Sequence, residues 1–221
     1  GPTGGAGGHA PLVRVGGADR WLGAAAAVFG VAAAHHSLTL LLVVPVGLYV
    51  LAVDWRVLLR PRLVVACLGA VVGVATLLYL QLPLRAGIFP APLVYGRPDT
   101  WEGFTYIVLA EQFRGSIVDP FGNRGGKLDD LVKLAWEQLG PLVIALPAAL
   151  FVTARMHAPY ALLSGLATLI TCFFSASYAN ADISRYYLGP AFFAWTWLAV
   201  FAALIAAAAG GALAGAARGR W

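Results

Sequence analysis

Charge is what this sequence has least of. Only 11% of its 221 residues are Asp, Glu, Lys or Arg, less than half of the roughly 25% carried by an ordinary soluble domain. A chain so poor in charge cannot cover a water-facing surface, and a soluble globular domain is excluded. Sulfur is scarce too, with two cysteines and one methionine. Cys67 and Cys172 lie inside apolar runs and read as small buried hydrophobes, not as a disulfide or metal pair. Neither a CxxC, a metal-spaced His/Cys set, a GxxxxGK phosphate loop nor a Gly-x-Ser-x-Gly elbow occurs, so no metal site or resident cofactor is expected. Nor is there a basic stripe. The 15 Lys and Arg behind the net charge of +5 are scattered in short loops, which argues against a nucleic-acid partner.

Long apolar runs are what is there. The chain is 60% hydrophobic with a mean hydropathy of +0.79, and it reads as a multi-pass membrane protein: an all-α transmembrane helix bundle of about six segments. Residues 1–20 are Gly-rich and aperiodic, as in a flexible tail or loop. The start Gly1-Pro2-Thr3, with Met156 the only methionine, suggests part of a longer polytopic protein. Trp21–Val53 is apolar except around His35-His36-Ser37 and Thr39. It exceeds the ~20 residues that cross a bilayer, which predicts two shorter helices, Trp21–Ala34 and Leu38–Val53, the second kinked at Pro45. Leu63–Leu84 is a full span whose Gly69-x-x-x-Gly73 face would admit a close neighbour. Residues 139–209 hold three further spans, and 210–221 a basic tail.

Sidedness follows from the arginines. Arg56, Arg60 and Arg62 mark a cytoplasmic loop, whereas residues 85–138 balance six bases against seven acids up to Glu137 and belong outside. Both termini then fall in the cytoplasm. Within that long loop, Trp101, Phe104, Ile107, Val108 and Phe113 recur at helical spacing, predicting an amphipathic interfacial helix over Trp101–Arg114. A second helix is expected over Leu128–Gln138, with Leu128, Leu131, Val132, Ala135 and Trp136 on its apolar side.

This topology gathers four polar groups on one side of the membrane: His35-His36-Ser37, Arg97–Glu102, Glu111–Arg114 and Asp182–Tyr187. Ionisable groups at membrane depth are costly and usually face a pathway or cavity, so His35 and His36 are candidates for a polar head group or form a solvated interfacial turn. Arg114 and Arg185 either fork onto a phosphate or act as snorkelling anchors paired with Glu111 and Asp182. Asp99, Glu102 and Asp182 could act as base or metal ligand, or simply be solvated. Tyr178, Tyr186, Tyr187, Trp195 and Trp197 suit an aromatic belt.

Three stretches carry a resemblance. Gly30-Val-Ala-Ala-Ala-His-His-Ser-Leu-Thr-Leu-Leu-Leu-Val-Val-Pro45, Gly96-Arg-Pro-Asp-Thr-Trp-Glu-Gly-Phe104 running on to Glu111-Gln-Phe-Arg114, and Asp182-Ile-Ser-Arg-Tyr-Tyr-Leu-Gly-Pro190 together resemble a family of polytopic proteins related to protein O-mannosyltransferases, within the GT-C membrane glycosyltransferases. Phe113 stands where many members have tyrosine. The resemblance implies transfer of a sugar, mannose by analogy, from a polyprenyl-phosphate donor to a hydroxyl of an acceptor protein or glycan at the extracytoplasmic face. The general base would be an acid in an earlier loop, which this chain lacks. The binding residues would be His35, His36, Arg97, Asp99, Trp101, Glu102, Gln112, Arg114, Asp182, Arg185, Tyr186 and Tyr187. A lipid-linked-sugar transporter or flippase, and a non-catalytic membrane scaffold, are the rival readings.

Overall fold

Polar residues and prolines decide where each helix of this chain starts and stops. The computed structural model describes residues 15–89, 92–179 and 183–218. Among them the regular structure is helical, apart from one isolated bridge between Ile117 and Tyr178. The chain divides into two compact units, Gly1–Thr39 with Arg56–Val108, and Leu40–Trp55 with Leu109–Trp221.

In the first unit, α1 (Val15–His35) starts earlier than the Gly-rich tail suggested and stops at the histidines. A tight turn of helix, Ser37–Leu42, follows. The Thr39 hydroxyl donates to Ala32 O at 3.1 Å and the Leu38 amide to His36 Nδ1 at 3.3 Å, so the polar turn satisfies backbone groups that the break frees. Trp21–Val53 is therefore two helices. Beyond α2 (Val43–Asp54), α3 (Pro61–Tyr79) opens on a proline, whose missing N–H has no intrahelical partner to lose there. It runs on through Gln81–Pro83 into a wider turn over Leu84–Ile88.

Helices α1 and α3 lie side by side and parallel. Asp19 pairs with Arg60 at their starts, and the Tyr79 hydroxyl reaches Ala33 O at 3.5 Å near their ends. Gly30 is the crossing point. A Cβ there would stand 2.7 Å from Val71 O, so only glycine lets the backbones approach this closely. The Gly69/Gly73 face, expected to serve that purpose, meets nothing within 4 Å. The last helix of this unit, α4 (Trp101–Val108), is shorter than predicted. Ala110 turns left-handed at φ 52° and the chain tightens over Glu111–Ser116.

The second unit holds α2, α5 (Arg124–Leu139), α6 (Leu146–Met156), α7 (Ala158–Ala176) and α8 (Leu188–Arg218). Pro45 does not kink α2 midway. It sits in the first turn, where its missing donor costs little, and is fully buried. Helix α5 stops at Gly140, whose φ of +56° suits glycine. Helices α6, α7 and α8 pack against one another and α2 packs on α7. The core is Leu139, Ala149, Ala194, Trp197 and Leu198. Small residues make up much of the other buried surface, among them Ala161, Ser164 and Ala167 on α7 and Thr153 on α6, while Phe151, Leu169 and Phe192 point outward. That inversion is expected where the surrounding medium is hydrocarbon: burying Leu away from lipid gains nothing, and close backbone packing gains dispersion.

Among the described residues, five helical stretches are long and apolar enough to cross a membrane: Ser37–Leu59, Pro61–Ile88, Arg124–Met156, Ala158–Ala176 and Ile183–Ala212. Helix α1, expected to be a sixth, is not among them; its early turns carry Asp19 and Arg20.

Candidate functional site

The four polar groups of the sequence divide between the units, two in each. In the first unit His35 and His36 are exposed at the end of α1, with His36 Nδ1 accepting from the backbone as described. Arg97, Asp99, Trp101 and Glu102 belong to a turn of unusual backbone. Gly96 and Arg97 both have positive φ, 71° and 50°, which is uncommon for arginine and marks a conformation held by its surroundings. Thr100 does the holding. Its hydroxyl donates to Arg97 O at 3.0 Å and accepts from the Gly103 amide at 3.1 Å, so it ties the turn to the open first turn of α4. Gly103 is buried flat against this turn, and a Cβ on it would overlap the carbonyl oxygens of Gly96 and Arg97. The product is a rigid corner that holds Arg97 in solvent, 3.7 Å from Asp99, and leaves Trp101 73% exposed beside Phe104.

In the second unit, backbone pairing joins two segments far apart in sequence. Val118 N donates to Ser177 O at 2.9 Å and Ala179 N donates to Ser116 O at 2.8 Å. The turn holding Gln112 and Arg114 is thereby stitched to the end of α7. Tyr178 is buried there, packed on Phe174 at 5.4 Å and on Tyr186 at 5.6 Å, so the short turn Ile183–Tyr187 is anchored at the same place. Arg114 is mostly exposed and lies 3.6 Å from Glu111. Gln112 Oε1 is buried without a hydrogen-bond partner among the described residues, a costly condition for an acceptor. Tyr187 faces an apolar cleft between α5, α7 and α8. Asp182 lies outside the described residues.

Two expectations about aromatic and apolar faces are corrected. Tyr178 and Trp197 are buried, at 8% and 6% exposure, and so cannot belong to a surface belt. Trp195 and Trp197 are two apart on one helix and therefore point to different faces; only Trp195 is exposed. On α5, Leu131, Leu134, Ala135 and Leu139 face the cleft, whereas Leu128, Val132 and Trp136 face outward. The sequence reading missed Gly103 and Thr100. The signal for Gly103 was a lone glycine interrupting a helical pattern, a common mark of close backbone approach. Among the described residues no cluster of three or more His, Cys, Asp or Glu is placed to hold a metal.

These features define a multi-pass membrane protein whose described residues are all-helical in their regular structure. Compared with known proteins, the chain matches no family model, no curated protein and no solved structure.

Proposed function

We propose that this chain is part of a GT-C-type membrane glycosyltransferase, which moves a sugar, mannose in the first instance, from a polyprenyl-phosphate carrier to an acceptor hydroxyl at the extracytoplasmic face. The observation that supports it best is the Ser116–Val118 pairing with Ser177–Ala179. It joins the Glu111-Gln-Phe-Arg114 and Ile183-Ser-Arg-Tyr-Tyr187 stretches, two parts of the sequence that resemble such enzymes. Arg114 and Arg185, one in each of these stretches, are the cations offered to the donor phosphate. In this reading the loop before the Arg124–Met156 stretch is extracytoplasmic, in keeping with the basic loops at Arg56–Arg62 and Arg155.

The chemistry is a displacement at the anomeric carbon. A base outside the residues assigned here takes the proton of the acceptor hydroxyl, and that oxygen bonds to the anomeric carbon. The bond to the phosphate oxygen breaks, and the polyprenyl phosphate departs with the electron pair. Arg114 and Arg185 stabilise the charge that develops on it, in the manner of preorganised donors at an oxyanion.

The test is sugar transfer from radiolabelled polyprenyl-phosphate-mannose in native membranes, comparing wild type with Arg114→Ala and Arg185→Ala. Each substitution is expected to lower transfer by roughly a hundredfold, the usual effect of losing one preorganised charge-stabilising donor. Wild-type rates in both variants would remove the phosphate assignment. A protein that moves lipid-linked sugar across the bilayer without transferring it would support the transporter reading.

A further inference from the structure

The second unit holds an apolar cleft that the proposed function does not use. It holds about 240 Å³. Leu131, Ala135 and Leu139 of α5 form one wall, and Ala191, Ala194 and Trp197 of α8 the other. Its accessible lining is almost wholly carbon, although Gln138, Tyr187, Thr168 and Cys172 border it. No charged side chain lines it. A phosphate would find no cation there, and the polar atoms of the bordering side chains are almost wholly withdrawn from the accessible surface. A void left empty would forfeit the dispersion contacts of its lining. For scale, an engineered apolar cavity of about 150 Å³ takes up benzene, so this volume suits a longer stretch of hydrocarbon.

All of its lining belongs to three stretches long and apolar enough to span a bilayer, Arg124–Met156, Ala158–Ala176 and Ile183–Ala212. The medium beside them is lipid chain. We infer that the cleft is a binding site for one acyl chain of a bilayer phospholipid, held by shape and without recognition of its headgroup. The lining offers no partner for a phosphate, so the occupant is held by its hydrocarbon alone, and in a bilayer the hydrocarbon at hand is the phospholipid acyl chain. The chain fills the space under the apolar face of α5 and so props that helix against α7 and α8. This inference needs only that the spans sit in a bilayer, and it stands apart from the glycosyltransfer proposal.

The test uses the intact protein in nanodiscs containing a phosphatidylcholine with a photoreactive diazirine in one acyl chain, with labelled peptides mapped by mass spectrometry. Labelling of the α5 and α8 walls should saturate as the probe fraction rises, and unlabelled phosphatidylcholine should compete it away. Ala191→Phe, which fills the cleft, should weaken that labelling by roughly tenfold, equivalent to about 1.4 kcal/mol. Labelling that rises linearly with probe fraction, as at the outward-facing Leu169, would overturn the site, and because that readout is taken on wild type it decides the matter even if Ala191→Phe fails to fold. Preferential labelling by a photoreactive polyprenyl phosphate would overturn the choice of occupant.

Discussion

Gly103→Ala is expected to destabilise the Gly96–Val108 corner by about 3 kcal/mol, at the upper end of the cost of overpacking. Helix propensity alone predicts the opposite sign, since alanine is better than glycine inside a helix by about 1 kcal/mol. The steric term wins because the obstacle is backbone. The new methyl would overlap the carbonyl oxygens of Gly96 and Arg97, and these are held by the Thr100 bridge and by two positive φ angles. Relief requires the turn to lift away from α4, which would release Arg97 and Trp101 together. Hydrogen exchange of the amides of residues 100–108 in nanodiscs should show the loss of protection directly. Gly69→Ala is the matched control: nothing lies within 4 Å of that position, so it should be neutral or slightly stabilising. Unchanged protection in Gly103→Ala would mean that the corner is not held as described.

The second large effect concerns Trp197. Its indole N–H donates to Ser164 Oγ at 2.9 Å, and that hydroxyl donates to Tyr160 O at 2.7 Å. Nearby, the Tyr160 and Thr196 hydroxyls meet at 2.6 Å. The network fastens α7 to α8 inside a core of mainly small residues. Trp197→Ala should cost about 4 kcal/mol, chiefly through the cavity it leaves. Ser164→Ala isolates the polar part and should cost about 1 kcal/mol, in line with the modest interhelical hydrogen bonds measured in membranes. A cycle of Trp197→Phe, Ser164→Ala and the two combined removes donor and acceptor together in the double variant, which should cost less than the sum of those two singles. Chemical unfolding in mixed micelles checks all four proteins. Strict additivity would show that the bond contributes nothing to the packing of the two helices.

These residues also show what the sequence could and could not disclose. Long apolar runs and basic loops revealed the helical membrane class, and the polar break at His35-His36 disclosed that Trp21–Val53 is two helices. Proline and glycine marked several helix ends, as at Pro61 and Gly140. What stayed hidden was which face of each helix is inward. In a bilayer both faces are apolar, so hydrophobic periodicity carries little information, and small residues mark contacts only where a partner exists. Gly69-x-x-x-Gly73 has the right spacing but no close approach among the described residues, while Gly30 makes the close approach without a second glycine four residues away. Ala161, Ser164 and Ala167 pack the second unit at helical spacing, yet they look unremarkable in so Ala-rich a chain. For the candidate site, residue types were legible but not their supports. Arg114 and Arg185 could be named from sequence, whereas the pairing of Ser116–Val118 with Ser177–Ala179 depends on a contact between distant segments that no local pattern encodes.

The claim that Arg114 and Arg185 share one extracytoplasmic rim is tested most directly by cysteine accessibility. Single cysteines at Gly115, Ser184, Arg62 and His157, in a background with Cys67 and Cys172 replaced by serine, are treated with a membrane-impermeant maleimide in intact cells. Gly115→Cys and Ser184→Cys should label at once, and Arg62→Cys and His157→Cys only after permeabilisation. Labelling of Gly115→Cys and Ser184→Cys from opposite sides would contradict the pairing of their segments. Labelling of both only after lysis would put the rim in the cytoplasm and contradict transfer at the outer face.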